Sequence, residues 1–170
     1  MEQAIGPAVA GTFFVGIVAT AIGDGWAIVA RTVFNLPTAN WGIVGRWICG
    51  FRRGVFVHEV IAKAPAVRGE TQVGWIAHYA IGVGFAFLYL MIIGALADGR
   101  STLASALAFG LATILAPLLV MKPAFGMGIG GLRAPQPFKG FVSTVTAHLA
   151  FGVGLHVATE LCGFVGTVGK

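Results

Sequence analysis

Four apolar runs, at about residues 7–33, 73–96, 103–121 and 141–166, are each long enough to cross a bilayer, which takes about 20 helical residues at about 1.5 Å of rise apiece. Hydrocarbon offers no hydrogen-bond partner to a backbone N–H or C=O. Only helices and closed barrels satisfy their own backbone there. Barrel strands are short and alternate in polarity, whereas these runs are continuous and rich in Ala, Leu and Gly. The chain therefore predicts an all-α integral membrane protein with four transmembrane helices. Composition agrees, since 57% of the residues are hydrophobic and 10% charged, against about 25% charged in an average soluble domain. What lies between the spans is mainly two loops, 34–72 and 122–140. Neither holds a soluble catalytic domain, so any chemistry belongs among the spans or on these loops. The first run is too long for the apolar core of a signal peptide and is preceded by Glu2 rather than by basic residues, so a retained helix is expected.

Basic residues are distributed unevenly. Arg46, Arg52, Arg53, Lys63 and Arg68 fall in the first loop and Lys122, Arg133 and Lys139 in the second, with only Arg100 and Lys170 on the other side. The positive-inside rule then places both loops in the cytoplasm and both termini outside. The net charge of +5 belongs to one membrane face, where it is expected to meet anionic lipid headgroups. Nucleic acid would need a basic folded platform, and none is visible. Cys49 and Cys162 are expected on opposite faces and therefore as free thiols.

One phrase occurs twice, Ala77-His78-Tyr79-Ala80-Ile81-Gly82-Val83-Gly84 and Ala147-His148-Leu149-Ala150-Phe151-Gly152-Val153-Gly154. Spans one and three share a weaker echo, Gly16-Ile17-Val18-Ala19-Thr20 against Gly110-Leu111-Ala112-Thr113. The pattern predicts two tandem duplicated hairpins related by a pseudo-twofold axis along the membrane normal. His78 and His148 should then lie at one depth.

In the first loop, Pro37 and Asn40 are expected to close the first helix, Gly50 and Gly54 to interrupt any long one, and residues 55–64 to form a short interfacial helix ended by Pro65. Trp41, Trp47 and Trp75 suit the headgroup level. The prolines at 123, 135 and 137 predict an irregular second loop. Three motif lookalikes lack their context. Gly126-Met127-Gly128-Ile129-Gly130-Gly131 satisfies GxGxxG but follows a membrane span instead of a strand. His58-Glu59 lacks the second histidine that a zincin helix places at 62, which is alanine. Ser101, Ser105 and Ser143 have no positioned base in the sequence.

The polar residues of the spans are the candidates for function. Asp24, His78 and His148 are all expected in the cytoplasmic third of the bilayer, and ionisable residues at such depth face the bundle and pair. Arg31 shares a helical face with Asp24 but can snorkel to the headgroups, so Asp24 should seek His78 or His148. Gly74 and Gly82 flank His78, and Thr144 and Gly152 flank His148, at four-residue spacing. Such grooves of small residues admit another helix. That is the commoner use; the other is to admit a haem or chlorophyll-like tetrapyrrole, or a metal ion, ligated by His78 and His148 with Asp24 as orienter. His156 and Glu160 lie one turn apart on span four and outline a proton or ion path. Pro117 should kink span three. With no complete catalytic constellation, the favoured reading is a non-enzymatic accessory component that docks other membrane subunits or a second copy of itself. A tetrapyrrole- or metal-binding bundle and a small proton-coupled carrier are the alternatives.

Several stretches together carry a resemblance. Val44-Gly45-Arg46-Trp47-Ile48, Ile61-Ala62-Lys63-Ala64-Pro65 with Arg68-Gly69-Glu70, Gly74-Trp75-Ile76-Ala77-His78-Tyr79-Ala80-Ile81-Gly82, and Met121-Lys122-Pro123-Ala124-Phe125-Gly126-Met127-Gly128 resemble a bacterial membrane family known as domain of unknown function 2938. The resemblance covers nearly the whole chain. It implies a four-span protein of the bacterial inner membrane and brings no catalytic or binding residues with it.

Overall fold

Each apolar run is helical in the computed structural model, which describes residues 2–97 and 100–168, with side chains over 9–97 and 100–163; Lys170 lies outside the described residues. The helices are α1 (Glu2–Phe34), α2 (Trp41–Phe51), α3 (Glu70–Leu96), α4 (Leu103–Thr113), α5 (Lys122–Ala124) and α6 (Pro137–Val168). Helix accounts for 77% of the structure, with no strand among the described residues. Among the described residues, four stretches are long and apolar enough to span a bilayer: Val9–Phe34, Glu70–Leu96, Leu103–Ala124 and Pro137–Gly163. This is an all-helical, multi-pass membrane protein.

Local chemistry sets the helix ends. Beyond α1, Asn35 takes φ 50°, a left-handed conformation that asparagine tolerates better than most residues, and the Leu36 N–H reaches back to the Ala30 carbonyl at 3.0 Å. Asn40 caps α2, its side-chain oxygen accepting from the Ile43 N–H at 3.3 Å. Thr102 and Ser105 cap α4 reciprocally: the Ser105 N–H donates to Thr102 Oγ1 and the Thr102 N–H to Ser105 Oγ, both at 3.1 Å. Span three changes geometry at its proline. After α4 ends at Thr113 the chain takes a π-helical turn over Pro117–Met121 before α5, because Pro117 has no N–H with which to continue the ladder.

The first loop departs from expectation. Its helix is α2, over Trp41–Phe51, whereas residues 55–60 are non-helical and only Ile61–Lys63 form a short 3-10 turn. Backbone bonds explain why. The His58 N–H donates to the Ala124 carbonyl at 2.8 Å and the Ile61 N–H to the Phe125 carbonyl at 3.2 Å, so this stretch is drawn out against the second loop and its donors are spent there.

Packing resolves into two units. One comprises Met1–Trp26, Tyr79–Ala112 and Ala147–Lys170, around Val15, Ala19, Ala86, Tyr89, Ala106 and Leu155. Its helices meet at backbone range. A Cβ on Gly16 would lie 2.5 Å from the Val83 Cα, one on Gly152 2.7 Å from the Ala106 carbonyl oxygen, and one on Gly154 2.7 Å from the Ala19 Cα, the close approach that small residues give membrane helices. The other unit comprises Ala27–His78 and Thr113–Thr146, with a core of Val44, Ile61, Ala124 and Phe125 covered by Trp41, Trp47 and Met121. The repeated phrase is packed unequally in its two copies: Gly154 touches Ala19, while its counterpart Gly84 faces open space.

Candidate functional site

In the second unit, α2 is pressed against the start of α3. A Cβ on Gly45 would collide with the Glu70 carbonyl, and one on Gly74 with the Trp41 carbonyl. Side chains lock the contact. Arg46 Nε donates to Glu70 Oε2 at 2.8 Å and its Nη2 to Oε1 at 2.7 Å, while Nη1 donates to the Ala64 carbonyl at 2.7 Å. Both partners are mostly covered, with side-chain exposures of 14% and 16%, and such fork-to-fork pairing is stronger than a single ion contact. The hydrogen bond to the carboxylate holds the Arg46 pKa above its ordinary value, burial opposing it. Glu70 Oε2 also accepts from the Val67 N–H at 2.8 Å, which ties the first loop to the beginning of α3.

His78 stands in an aromatic box. Its ring stacks on Trp41 at 3.8 Å between centroids and meets Trp75 edge-on at 5.7 Å; the two indoles are 5.8 Å apart. Beside the indoles opens a cleft of 370 Å³ lined by Arg31, Thr38, Asn40, Trp41, Thr71 and Trp75 among others. Arg31 is the charged residue of this lining.

The glycine-rich run that mimics a nucleotide loop does something else. Gly126, Gly128, Gly130 and Gly131 all have φ between 66° and 83°, conformations that glycine adopts without strain. The loop they form bends around Lys122, whose Nζ lies 3.4 Å from the Gly130 carbonyl and 3.2 Å from Thr144 Oγ1. A cation occupies the place where a phosphate cradle would need an anion. Gly126 also abuts the Glu59 carbonyl so closely that a Cβ could not be accommodated. His58 Nδ1 is buried with no hydrogen-bond partner among the described residues.

Polar groups of the first unit are tied to one another. Thr20 Oγ1 donates to the Gly16 carbonyl at 2.7 Å. The Tyr79 hydroxyl donates to Asp24 Oδ2 at 3.0 Å. The Tyr89 ring, 1% exposed, carries a hydroxyl 2.7 Å from Ser101 Oγ and 3.1 Å from Ser105 Oγ, and Ser101 Oγ lies 3.1 Å from His156 Nδ1. Glu160 is exposed, one turn beyond. His148 belongs to this unit and His78 to the other. The small residues beside each histidine are occupied by helix contacts, Gly82 against Thr20 and Gly152 against Ala106. Among the described residues no three His, Cys, Asp or Glu side chains converge on a metal position. Cys49 and Cys162 are free thiols.

Sequence reasoning missed Tyr79, Tyr89, Ser101 and the Arg46–Glu70 pair as structural partners. The signal for Ser101 was only its proximity to a helix start. Arg46 and Glu70 were visible as opposite charges, with no period to join them.

No curated protein and no solved structure matches this chain. The model of an uncharacterised family, described as protein of unknown function DUF2938, matches residues 13–162. Fold, four membrane-length helices and this match agree, and the chain belongs to the DUF2938 family.

Proposed function

We propose that this protein is a non-enzymatic membrane component that works by lateral contact, its spans docking against transmembrane helices of another subunit. One observation carries the reading. Glycine in a helix costs about 1 kcal/mol relative to alanine, and Gly16, Gly110, Gly152 and Gly154 recover that cost in internal backbone contact, whereas Gly25, Gly84, Gly94 and Gly163 sit in helices with nothing within 4 Å of an added Cβ. Gly84 follows Ala80 by one turn, and both are exposed, as is Phe87 beside them, at 57%. Small residues four apart on an open apolar face are what membrane helices use to approach a partner. The charge distribution supports an orientation with the Trp41 and Lys122 loops in the cytoplasm of a bacterial inner membrane.

The test is crosslinking in native membranes followed by purification in mild detergent. Wild-type protein is expected in a species heavier than one chain, and Ala80→Leu/Gly84→Leu is expected to release the monomer without loss of helix content. A wild-type monomer with no crosslinked partner refutes the proposal.

A further inference from the structure

Arg31 is the cation of the cleft described above, and it enters no ion pair among the described residues. We propose that this cleft binds a phosphate group, carried either by an anionic lipid headgroup or by a free phosphate, with Arg31 as the charge partner. The inference goes beyond lateral docking and does not depend on it.

Four observations converge. First, the lining residues are of the right kind and come from several elements: Arg31 from the last turn of α1, Thr38 and Asn40 from the connection, and Thr71 from the start of α3, its hydroxyl 3.3 Å from a Cβ built on Gly42 in the same wall. A phosphate presents oxygens in several directions and is matched by such a set, with guanidinium as its preferred planar partner. Second, the nearest carboxylate does not repel it. Glu70, whose Oε1 would lie 3.6 Å from a Cβ on Gly42 in the cleft wall, has its charge matched by the bidentate bond to Arg46, so the unmatched charge left at the cleft is positive. Third, the walls are held in advance. Gly45 and Gly74 bring α2 and α3 to backbone contact, and His78 fixes both indoles by its stack on Trp41 and its edge contact with Trp75; a preordered site loses less on binding. Fourth, the cleft lies where Val9–Phe34 ends and Glu70–Leu96 begins, the level of a headgroup, with indoles of the kind enriched there. At 370 Å³ it has room for a glycerophosphate, within the usual size of ligand pockets.

The experiment uses the full chain in a sugar-headgroup detergent, which carries no phosphate, and reads tryptophan emission, since Trp41 and Trp75 line the cleft. One arm titrates inorganic phosphate and the other short-chain phosphatidylglycerol. Saturable change is expected in at least one arm: response to both, or to phosphate alone, assigns a free-phosphate site, and response to the lipid alone assigns a headgroup site. Arg31→Gln is expected to weaken the responding arm at least tenfold, and Thr71→Val severalfold. Arg52→Gln, in the exposed loop outside the cleft, is expected to leave it unchanged. Circular dichroism establishes that each variant is folded, and because Arg31 is exposed its replacement does not threaten the core. The proposal is overturned by an unsaturable signal in both arms, by wild-type binding in Arg31→Gln, or by equal weakening in Arg31→Gln and Arg52→Gln, which would mark diffuse surface attraction.

Discussion

Three glycines of α3 should respond in opposite directions to the same methyl group. At Gly74 an added Cβ runs into the Trp41 carbonyl oxygen, at Gly82 into the Thr20 hydroxyl, and at Gly94 it meets nothing within 4 Å. A carbonyl has no rotamer to yield, so Gly74→Ala must push α2 away from α3. Overpacking of this sort costs about 1–3 kcal/mol and sometimes more. Misaligning the Arg46–Glu70 fork, held now at 2.7–2.8 Å, adds to that cost, while alanine returns about 1 kcal/mol of helix propensity. The net expectation is a loss of about 2–3 kcal/mol. The Thr20 hydroxyl can rotate, giving up its 2.7 Å bond to the Gly16 carbonyl, which is worth about 1 kcal/mol. Gly82→Ala should therefore fall between no change and a loss of about 1 kcal/mol. Gly94→Ala keeps only the propensity term and should gain up to about 1 kcal/mol. Reversible unfolding in mixed micelles with increasing dodecyl sulfate, followed by circular dichroism, measures all three. Shifts that agree within about 0.5 kcal/mol, or a largest loss at Gly94, would refute the steric reasoning.

Replacing Arg46 by Met should cost about 2 kcal/mol in the same assay, because it strands the Glu70 carboxylate at 16% side-chain exposure. The double replacement with Glu70→Gln should cost clearly less than the sum of the two single ones, and strict additivity would show that the pair is not coupled. For the proposed orientation, a membrane-impermeant maleimide applied to intact cells should leave Cys49 and a cysteine placed at Arg133 unlabelled while reaching cysteines added at both termini. Labelling of Cys49 reverses the topology.

The spans were legible because twenty-odd apolar residues admit few folds in lipid, and Pro117 was legible as a break because its missing N–H acts locally. The form of that break, a π-helical turn, was not. Nor was α2. Gly50 reads as an interruption, yet it is buried inside α2, and Gly45 of the same helix is where the Glu70 backbone fits. A glycine that breaks a helix and one that admits a neighbour are the same letter. Trp41, Trp75 and Arg31 could be placed at headgroup level from sequence, but their meeting around one cleft depends on contacts between residues 24 and more positions apart, such as Arg46 with Glu70. The same limit hid Ser101 beside His156 and Tyr79 beside Asp24, each pair 55 positions apart.

The backbone bonds from His58 to Ala124 and from Ile61 to Phe125 also impose an order in time. The first loop leaves the ribosome with α2 ready to form, but the carbonyls that its next segment needs are encoded about 65 residues later, at the end of the third span. At about 5–20 residues per second that is a wait of roughly 3–13 s, during which Ile61, 1% exposed in the finished fold, has no core to enter. Until span three is threaded, the first loop is a client for whatever holds nascent membrane proteins at the bilayer surface.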